Sequence, residues 1–390
     1  MDNQKSKYNK EKLDTKEMVF SSLVFLYIFL PLMLLIYFIV PKKFKNLVMI
    51  IASFIFFAWG EIRYIPIMLL LAVMDYWCGN KINQNWENKK AKRKYLMIDI
   101  TVNLLILFFF KYADFIISSI NGLFRINIPL LNIPLPIGVS FNTFQSLSYI
   151  IDVYRGTVKC EKSFYNYLTY TTLFPQIIAG PIVRYETVDE ELVDKKISMD
   201  NFSCGMRRFI VGLGKKVLIA NNVGVLWNVI ENGNFNEMSS VLVWLGIISF
   251  ALQIYFDFSG YSDMAIGLAK IFGMDFDENF NYPYISKTIT EFWRRWHITL
   301  SSWFRDYIYI PLGGNRKGLP KQIRNILIVW ALTRCMAWSI LEFRNMGCIF
   351  WSNFNYRKTV YAKTIRKATK NFWTHLYNSI SINKLGNICI

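Results

Sequence analysis

The sequence predicts an all-α fold, a polytopic helical bundle in a membrane with additional re-entrant or interfacial helices. Hydrophobic residues make up 53% of the 390 residues and charged residues only 18%, whereas charged residues form about a quarter of a typical soluble domain. A soluble protein of this length could not bury so many apolar side chains in one core. Aromatic residues reach 17%, which suits a protein with aromatic belts at both membrane surfaces.

Eight apolar stretches are candidate membrane spans, since a helix needs about 20 mostly apolar residues to cross a bilayer. They are residues 18–40, 46–60, 63–78, 95–117, 165–182, 209–230, 239–256 and 323–341. Between them, residues 127–145 contain helix-breaking prolines, and residues 286–312 mix aromatic and charged side chains. We expect re-entrant or interfacial segments there, because irregular backbone at membrane depth needs protein or a water-filled cavity around it.

The net charge of +18 raises the question of nucleic-acid binding. The basic residues, however, fall between apolar segments rather than along one face. Lys42, Lys43 and Lys45 follow the first candidate span, and a second basic cluster occupies residues 81–94. Cytoplasmic loops have this pattern under the positive-inside rule. We therefore reject a nucleic-acid partner and expect the lipid bilayer as partner, with both basic clusters inside and the N-terminus outside.

The six cysteines show neither CxxC spacing nor a neighbouring histidine, so they predict no metal site and no disulfide framework. They are Cys78, Cys160, Cys204, Cys335, Cys348 and Cys389. We expect small packing residues in apolar surroundings. The sequence contains no other cluster of metal ligands, so we predict neither a metal ion nor a bound cofactor.

Residues 288–306 form the densest polar segment in an apolar context. One continuous helix would give them an apolar face, made of Trp293, Trp296, Leu300 and Trp303. His297 would lie beside that face, directly after Arg294 and Arg295. A neutral imidazole can take the proton of a hydroxyl that attacks a thioester carbonyl, and arginine or tryptophan N–H groups can stabilise the oxyanion.

His297 is therefore the candidate catalytic residue, and its neighbours are candidates for binding substrate or lining a tunnel. These neighbours are Arg294, Arg295, Trp296, Ser301 and Trp303. The alternative is an interfacial amphipathic helix that holds tryptophan and arginine at the level of the lipid headgroups.

Three further polar residues are candidates for the same site. Asp257 and Asp263 follow a strong span and would orient a base or bind substrate; the alternative is a helix start capped by Ser262 or Asp263. Gln176 lies in residues 174–185, where two prolines and a glycine interrupt an apolar run. That pattern indicates either a re-entrant segment or a kinked helix, and Gln176 is costly to bury there unless it is paired.

Four stretches resemble the membrane-bound O-acyltransferase family, in particular its alginate O-acetylase branch. They are residues 135–141, 174–185, 255–267 and 289–318, the last of which reads Glu-Phe-Trp-Arg-Arg-Trp-His at 291–297 and Tyr-Ile-Pro-Leu-Gly-Gly-Asn-Arg at 309–316. With the spans between them, the resemblance covers about residues 18–338. By this resemblance, His297 corresponds to the first of two family histidines.

The resemblance implies a membrane-bound O-acyltransferase fold with a cytoplasmic funnel and an outer groove that meet at a buried tunnel. It implies transfer of an acyl group, usually acetyl, from acetyl-CoA or another acyl thioester to hydroxyls of an exported polysaccharide such as alginate. It also implies a multi-pass protein of a bacterial cell membrane that works with extracytoplasmic acetylation partners.

The sequence departs from the family pattern after Thr333. The family continues with Leu-Thr-Gly-Leu-Trp-His-Gly, whose histidine is generally taken as the key catalytic residue, but residues 334–338 contain no histidine. Cys335 is a poor general base and cannot replace it. We expect a frameshift, a deletion or a sequencing error near Thr333.

The predicted organisation therefore has three parts. Residues 1–17 are expected to be a mis-called extension, with translation starting at Met18. Residues 18–345 form an incomplete acyltransferase domain. Residues 346–390 form a divergent basic segment, in which His375 is a distant loop histidine.

Other functions remain open from the sequence. The loss of the second histidine favours an inactive remnant, or a non-enzymatic acyl conduit or scaffold that works with an extracytoplasmic partner. A D-alanyl transfer protein for cell-wall polymers would share the architecture. A permease is less favoured, because no internal repeat and no matching pair of broken helices is present.

Overall fold

Long apolar helices form the frame of the protein. The computed structural model describes residues 18–133, 138–177, 180–234, 237–316 and 318–337, and every regular element in these ranges is a helix. Five helices among them are long and apolar enough to cross a membrane: Lys42–Gly60, Ile62–Gln84, Lys89–Phe124, Met199–Glu231 and Ser240–Ile271. A shorter apolar helix is Phe25–Ile39. The prediction of an all-α bundle with several membrane helices is confirmed.

The helices are numbered here in chain order, with short 3-10 or π turns adjoining some of them. They are α1 (Leu30–Ile39), α2 (Lys45–Glu61), α3 (Ile65–Gln84), α4 (Lys89–Phe124), α5 (Val139–Arg155), α6 (Phe164–Thr172), α7 (Phe174–Ile177), α8 (Tyr185–Val193), α9 (Met199–Gly214), α10 (Asn221–Glu231), α11 (Ser240–Ile271), α12 (Ile289–Arg295), α13 (Ile298–Phe304) and α14 (Leu319–Ala337).

The chain divides into two compact units. The first unit comprises Met1–Lys216 and Phe258–Phe280, and the second comprises Val217–Asp257 and Asn281–Ile390. Several sequence predictions lie outside the described residues: the extension at 1–17, the segment at 346–390 with His375, the cysteines Cys348 and Cys389, and the end of the last candidate span.

The predicted span over residues 165–182 is wrong. Two short helices, α6 of 9 residues and α7 of 4, occupy this stretch, and neither approaches the length of about 20 residues that a bilayer requires. The chain turns at Leu173, whose ψ of 112° is not helical. The next amide, that of Phe174, donates to the hydroxyl of Ser53 at 3.0 Å. A side chain of another helix therefore replaces the helical hydrogen bond at the break.

Aromatic side chains fill the core of the first unit. Phe174 packs against Phe56 with 5.4 Å between ring centroids, and Phe20 stacks on Tyr261 at 4.5 Å. The hydroxyl of Tyr37 donates to the carbonyl of Phe272 at 2.7 Å. Because Tyr37 is fully buried, this bond satisfies a polar group that would otherwise be costly inside the core.

A buried polar network crosses α3, α4 and α6 in the first unit. The side-chain amide of Asn103 donates to Asp75 at 2.8 Å and to Asp99 at 3.2 Å. The hydroxyl of Tyr167 donates to Asp75 at 3.1 Å. All four residues are at most 1% exposed. Buried carboxyl groups persist only with such donors, so the network fixes how these apolar helices pack.

Helices α9 and α11 approach each other closely through paired glycines in the first unit. A Cβ atom built on Gly212 would lie 2.6 Å from the carbonyl oxygen of Gly260, and one built on Gly205 would lie 2.6 Å from the carbonyl oxygen of Gly267. Each pair is reciprocal, and the pairing runs antiparallel. Small residues permit this backbone contact between membrane helices.

The second unit contains the motifs that suggested chemistry. Its helix α10 packs against the first part of α11, where the rings of Trp227 and Phe250 are 4.8 Å apart. In α14, the fully buried amide of Asn325 donates to the carbonyls of Leu312 at 3.2 Å and Gly314 at 3.0 Å. This amide therefore holds the turn between the Arg305–Tyr309 segment and α14.

Candidate active site

The segment that contains His297 is broken into two short helices. The hydroxyl of Thr288 accepts a hydrogen bond from the amide of Glu291 at 3.0 Å and starts α12. Helix α12 ends before Trp296, whose ψ is 125°, and α13 begins only after His297. The predicted continuous helix over 288–306 is therefore wrong, although its two halves are helical.

The three tryptophans of the predicted face consequently have separate surroundings. Trp293 packs edge-on against Trp330 at 5.1 Å, and Trp296 stacks on Phe292 at 5.5 Å. Trp303 is 3% exposed and lies 5.1 Å from the ring of Tyr307. The break between α12 and α13 separates the two halves of the predicted face, so they form no continuous stripe.

His297 has a left-handed backbone conformation at this break. Its φ is 43° and its ψ is 57°, a region that residues other than glycine adopt rarely and at a cost of about 1–3 kcal/mol. Its carbonyl accepts the amide of Ser301 at 3.0 Å and so begins α13. Strained residues of this kind cluster at functional sites, which makes the conformation itself an indication of function.

The imidazole of His297 is buried and neutral at physiological pH. The residue is 7% exposed, and burial lowers the pKa of His297 to about 3 because a low-dielectric environment disfavours the charged form. A neutral imidazole is the form that accepts a proton. The side chain therefore has the protonation state of a general base throughout the physiological range.

The guanidinium of Arg295, two positions before His297, forms hydrogen bonds to two other residues. Its guanidinium donates to the carboxylate of Glu291 at 3.1 Å and to the carbonyl of Asn281 at 3.2 Å. Arg294 has different surroundings, because it is exposed and forms no ion pair or hydrogen bond with the part of the chain that the structure describes. Of the two predicted arginines, Arg295 shapes the site and Arg294 remains available to a ligand.

An aromatic cluster next to His297 was not predicted from the sequence. Trp296 lies 6.3 Å from Tyr255 and 6.2 Å from Tyr284, measured between ring centroids. The hydroxyl of Tyr284 donates to the carbonyl of Ala251 at 2.6 Å and so ties the segment before α12 to α11. The sequence could not predict that these three rings lie together, because they are far apart along the chain and aromatic residues are abundant throughout it.

The remaining candidates of the second unit occupy ordinary positions. The hydroxyl of Ser301 donates to the carbonyl of Trp296 at 3.4 Å, so it closes the turn around His297. Asp257 is half-buried in the interior of α11. Since Ser262 and Asp263 also lie within α11, the interpretation of this stretch as a capped helix start is wrong.

The other two candidates belong to the first unit. Gln176 is 2% exposed, and its amide donates to the carbonyl of Tyr170, which is the pairing that its burial requires. Asp263 forms ion pairs with Arg208 at 2.9 Å and Lys215 at 2.5 Å. The structure thus brings together Arg295, Trp296, His297 and Ser301, and it gives Gln176 and Asp263 structural partners of their own. Among the described residues, no group of three or more histidine, cysteine or carboxylate side chains could hold a metal ion.

Comparison with known proteins gives consistent matches. The model of the membrane-bound O-acyltransferase family matches residues 54–335. The chain is 41% identical over 322 residues to a protein of Pseudomonas putida named probable alginate O-acetylase, an alignment that covers 81% of this chain and 65% of the relative. It is 33% identical over 347 residues to the peptidoglycan O-acetyltransferase of Helicobacter pylori, covering 81% and 66%.

A more distant match is the teichoic acid D-alanyltransferase of Bacillus subtilis, which is 31% identical over 217 residues, or 52% of this chain and 54% of the relative. The chain spans about two thirds or less of the length of the curated relatives that it matches.

Proposed function

This chain belongs to the membrane-bound O-acyltransferase family, and we propose that it transfers an acyl group, most simply acetyl, from a thioester donor to hydroxyl groups of an exported polysaccharide such as alginate. One observation carries the proposal. His297 is buried, neutral and held in a strained backbone conformation between two short helices. An imidazole that acts as a general base must be neutral before it takes the proton of a hydroxyl nucleophile.

The proposed reaction balances without a metal or a redox partner. The acceptor hydroxyl gives its proton to the imidazole of His297 while its oxygen forms a bond to the thioester carbonyl carbon. The tetrahedral intermediate then collapses, the carbon–sulfur bond breaks, and the thiolate takes the proton back from the imidazolium. The products are an ester on the polysaccharide and a free thiol, with acetyl-CoA or another acyl thioester as the donor.

The surrounding residues have distinct roles in this proposal. Arg295 donates to the carbonyl of Asn281 and Ser301 donates to the carbonyl of Trp296, and in this proposal both bonds position His297. Arg294 is exposed and would bind an anionic group of the donor. The cluster of Trp296, Tyr255 and Tyr284 offers aromatic faces for a sugar or an acyl chain. Closure of such a site against water limits hydrolysis of the thioester.

The choice of acceptor rests on the relatives. The names of these relatives refer to alginate in Pseudomonas putida and to peptidoglycan in Helicobacter pylori, and both are polysaccharides outside the cytoplasm. The proposal therefore includes extracytoplasmic acetylation partners and a bacterial cell membrane as the location.

Complementation tests the proposal. A bacterial strain that lacks its own polysaccharide O-acetyltransferase, but keeps the rest of its acetylation proteins, would express the full chain, and NMR would measure acetyl esters on the exported polysaccharide. His297→Asn removes the base and keeps a residue type that tolerates left-handed backbone. His375→Asn is the matched control, because these are the two histidines of the chain. We expect acetylation with the chain and its control, and none with His297→Asn.

A third version separates the transferase from the alternatives. In it, the family segment Gly-Leu-Trp-His-Gly replaces residues 334–338, which follow the match through Thr333. If that version acetylates the polysaccharide and the chain itself does not, the proposed activity is rejected in favour of an inactive remnant or scaffold. Full activity of His297→Asn would instead reject His297 as the base.

A further inference from the structure

The start of the α2 segment carries an unusual charge pattern. Lys42, Lys43 and Lys45 occupy the first turns of the helix Lys42–Gly60, where no acidic residue is present. A helix N-terminus is itself electropositive because its first N–H groups lack helical partners, so lysines at this end are unfavourable. Three lysines at one helix start therefore indicate that a negatively charged group from outside this segment binds next to them.

These lysines line a cavity within the first unit. Its volume is about 190 Å³, and it is bordered by Lys42, Lys43, Lys45, Asn46, Asn166, Leu192, Val193, Lys195 and Ile197. The lining thus has four lysines and no carboxylate. A water molecule occupies roughly 30 Å³ of liquid, so the cavity has room for a tetrahedral anion together with a few waters.

Two of the lysines are buried, and neither ammonium group forms an ion pair with a carboxylate of the described residues. Lys45 is 7% exposed and Lys195 is 9% exposed. The ammonium group of Lys45 donates to the carbonyl of Tyr37 at 2.8 Å, and that of Lys195 reaches the carbonyls of Glu191 and Leu192 only at 3.5 Å. Each ammonium has three donors. Lys195 keeps one of them without a partner among the described residues, whereas the ammonium of Lys45 also lies over aromatic rings, 4.3 Å from the centroid of Tyr37 and 5.5 Å from that of Phe38.

The neighbouring carboxylates do not balance these charges. Asp194 is 3.5 Å from Lys42 at a fully solvated position, and an exposed pair of this kind contributes little. Glu191 is buried, but it is shared with Lys196 at 3.6 Å and with the amide of Asp275 at 2.7 Å. Burial and the charge of Lys45 lower the pKa of Lys195 to about 8, with Glu191 opposing them, as expected for two cations that face each other.

We propose that this lysine cavity is an anion site that binds a phosphate group through Lys45 and Lys195, with Lys42 and Lys43 at its entrance. A phosphate anion would pair the two buried ammonium groups and use the free donor of Lys195, as lysines do at other phosphate sites. It would also complement the electropositive start of the helix. The proposal uses none of the residues around His297 and does not depend on the proposed acyl transfer.

Two sources could supply the phosphate: the headgroup of an anionic phospholipid, or a soluble phosphate ester. Basic cavities between membrane helices are typical binding sites for anionic lipid headgroups. The test therefore uses one probe for each source, dioleoylphosphatidylglycerol and inorganic phosphate. Dioleoylphosphatidylcholine serves as the lipid control, because its headgroup carries no net charge.

The test compares the full chain, purified in a neutral detergent and stripped of lipid, with three double variants. Native mass spectrometry measures bound lipid, and equilibrium dialysis measures bound phosphate. Lys45→Met with Lys195→Met removes both buried charges and keeps unbranched side chains. Lys42→Met with Lys43→Met removes the exposed entrance charges. Lys89→Met with Lys90→Met is the matched control, because it makes the same change in net charge at two exposed positions of α4.

We expect the chain and the control to bind one molecule of at least one anionic probe in preference to phosphatidylcholine, and the Lys45/Lys195 variant to bind it about tenfold or more weakly. Tighter binding of phosphatidylglycerol identifies a lipid site, and tighter binding of phosphate identifies a soluble ester. Equal binding by the Lys45/Lys195 variant, or no binding of either probe by the chain, overturns the proposal. If that variant fails to fold, unchanged binding by the Lys42/Lys43 variant overturns it as well.

Discussion

Arg295 and Asn281 are joined by two hydrogen bonds that run in opposite directions. The amide of Asn281 donates to the carbonyl of Arg295 at 2.9 Å, and the guanidinium of Arg295 donates to the carbonyl of Asn281 at 3.2 Å. Tyr282, the next residue, has a positive φ of 44°, as has His297 with 43°. Each bonded residue is therefore followed closely by a residue with positive φ: Tyr282 follows Asn281, and His297 lies two positions after Arg295. The two hydrogen bonds fix the end of α12 directly before the break at His297.

Loss of the Arg295 guanidinium should destabilise this arrangement. We expect Arg295→Met to lower the free energy of unfolding by about 1–3 kcal/mol, because hydrogen bonds to a charged donor are lost. Thermal unfolding in detergent measures the effect, and Arg294→Met is the control, since Arg294 has no partner within the described part of the chain.

If Arg295 positions His297, the Arg295→Met variant should also lower kcat for acyl transfer more than it changes KM. An unchanged kcat would argue against a positioning role.

The neutral state of His297 predicts a pH dependence of stability. The pKa of His297 in the folded chain is about 3, below its ordinary value of 6.5. Between pH 3 and pH 6.5, the imidazole is therefore protonated in the unfolded chain but neutral in the folded chain. Stability contributed by this group is therefore lost as the pH falls below 6.5, by about 1.4 kcal/mol per pH unit. Unfolding measured at pH 6.5 and pH 4.5 should show a loss for the natural chain that His297→Asn does not share. Equal losses in both proteins would contradict the burial of a neutral imidazole.

The backbone of His297 gives a separate prediction. His297→Gly should be more stable than His297→Ala by about 1 kcal/mol, although it removes more of the side chain, because glycine adopts positive φ without the steric cost that a Cβ atom causes. Chemical unfolding of both variants at pH 7.5 measures the difference. A more stable alanine variant would show that the left-handed conformation is not maintained.

The paired glycines of α9 and α11 predict opposite effects for two neighbouring substitutions. Gly212→Ala should lower the free energy of unfolding by about 1–3 kcal/mol, since its Cβ atom meets the backbone of Gly260 at 2.6 Å and the helices must separate. Gly214→Ala has no neighbouring atom within 4 Å and should raise stability by about 0.5–1 kcal/mol through its higher helix propensity. Stabilisation of the same size in both variants would show that propensity, not the helix contact, controls these positions.

Sequence periodicity predicts the long helices but not the site. The apolar runs at 46–60 and 95–117 lie within helices of the structure, and the run at 239–256 does so except for its first residue, because burial in lipid leaves a strong local pattern. The break at His297 has no such pattern, since the helical spacing of the tryptophans continues through it. The bond from Arg295 to Asn281, directly before the break, joins residues that are 14 positions apart. Similarly, the partners of Asp263 are Arg208 and Lys215, and no local rule connects them.

The lysine cavity predicts that anion affinity falls as the pH rises. The groups that face Lys195 are Lys42, Lys43 and Lys45 on the α2 side and Glu191 and Asp194 around its own helix end. Because the folded pKa of Lys195 is about 8, below its ordinary value of 10.5, its positive charge is present at pH 7 and is lost above pH 8. Sulfate is a suitable probe, since its own charge does not change in this range.

Equilibrium dialysis of sulfate at pH 7 and pH 9.5 should therefore show binding that weakens about tenfold in the natural chain, the effect of losing one buried cation that faces the anion. The Lys89→Met, Lys90→Met control should show the same decrease, because its cavity is intact. Lys195→Met should bind sulfate weakly at both pH values and lose little more at the higher one, since the titrating group is gone. A pH dependence that persists in Lys195→Met would assign the titration to another lysine of the cavity and would contradict the role given to Lys195.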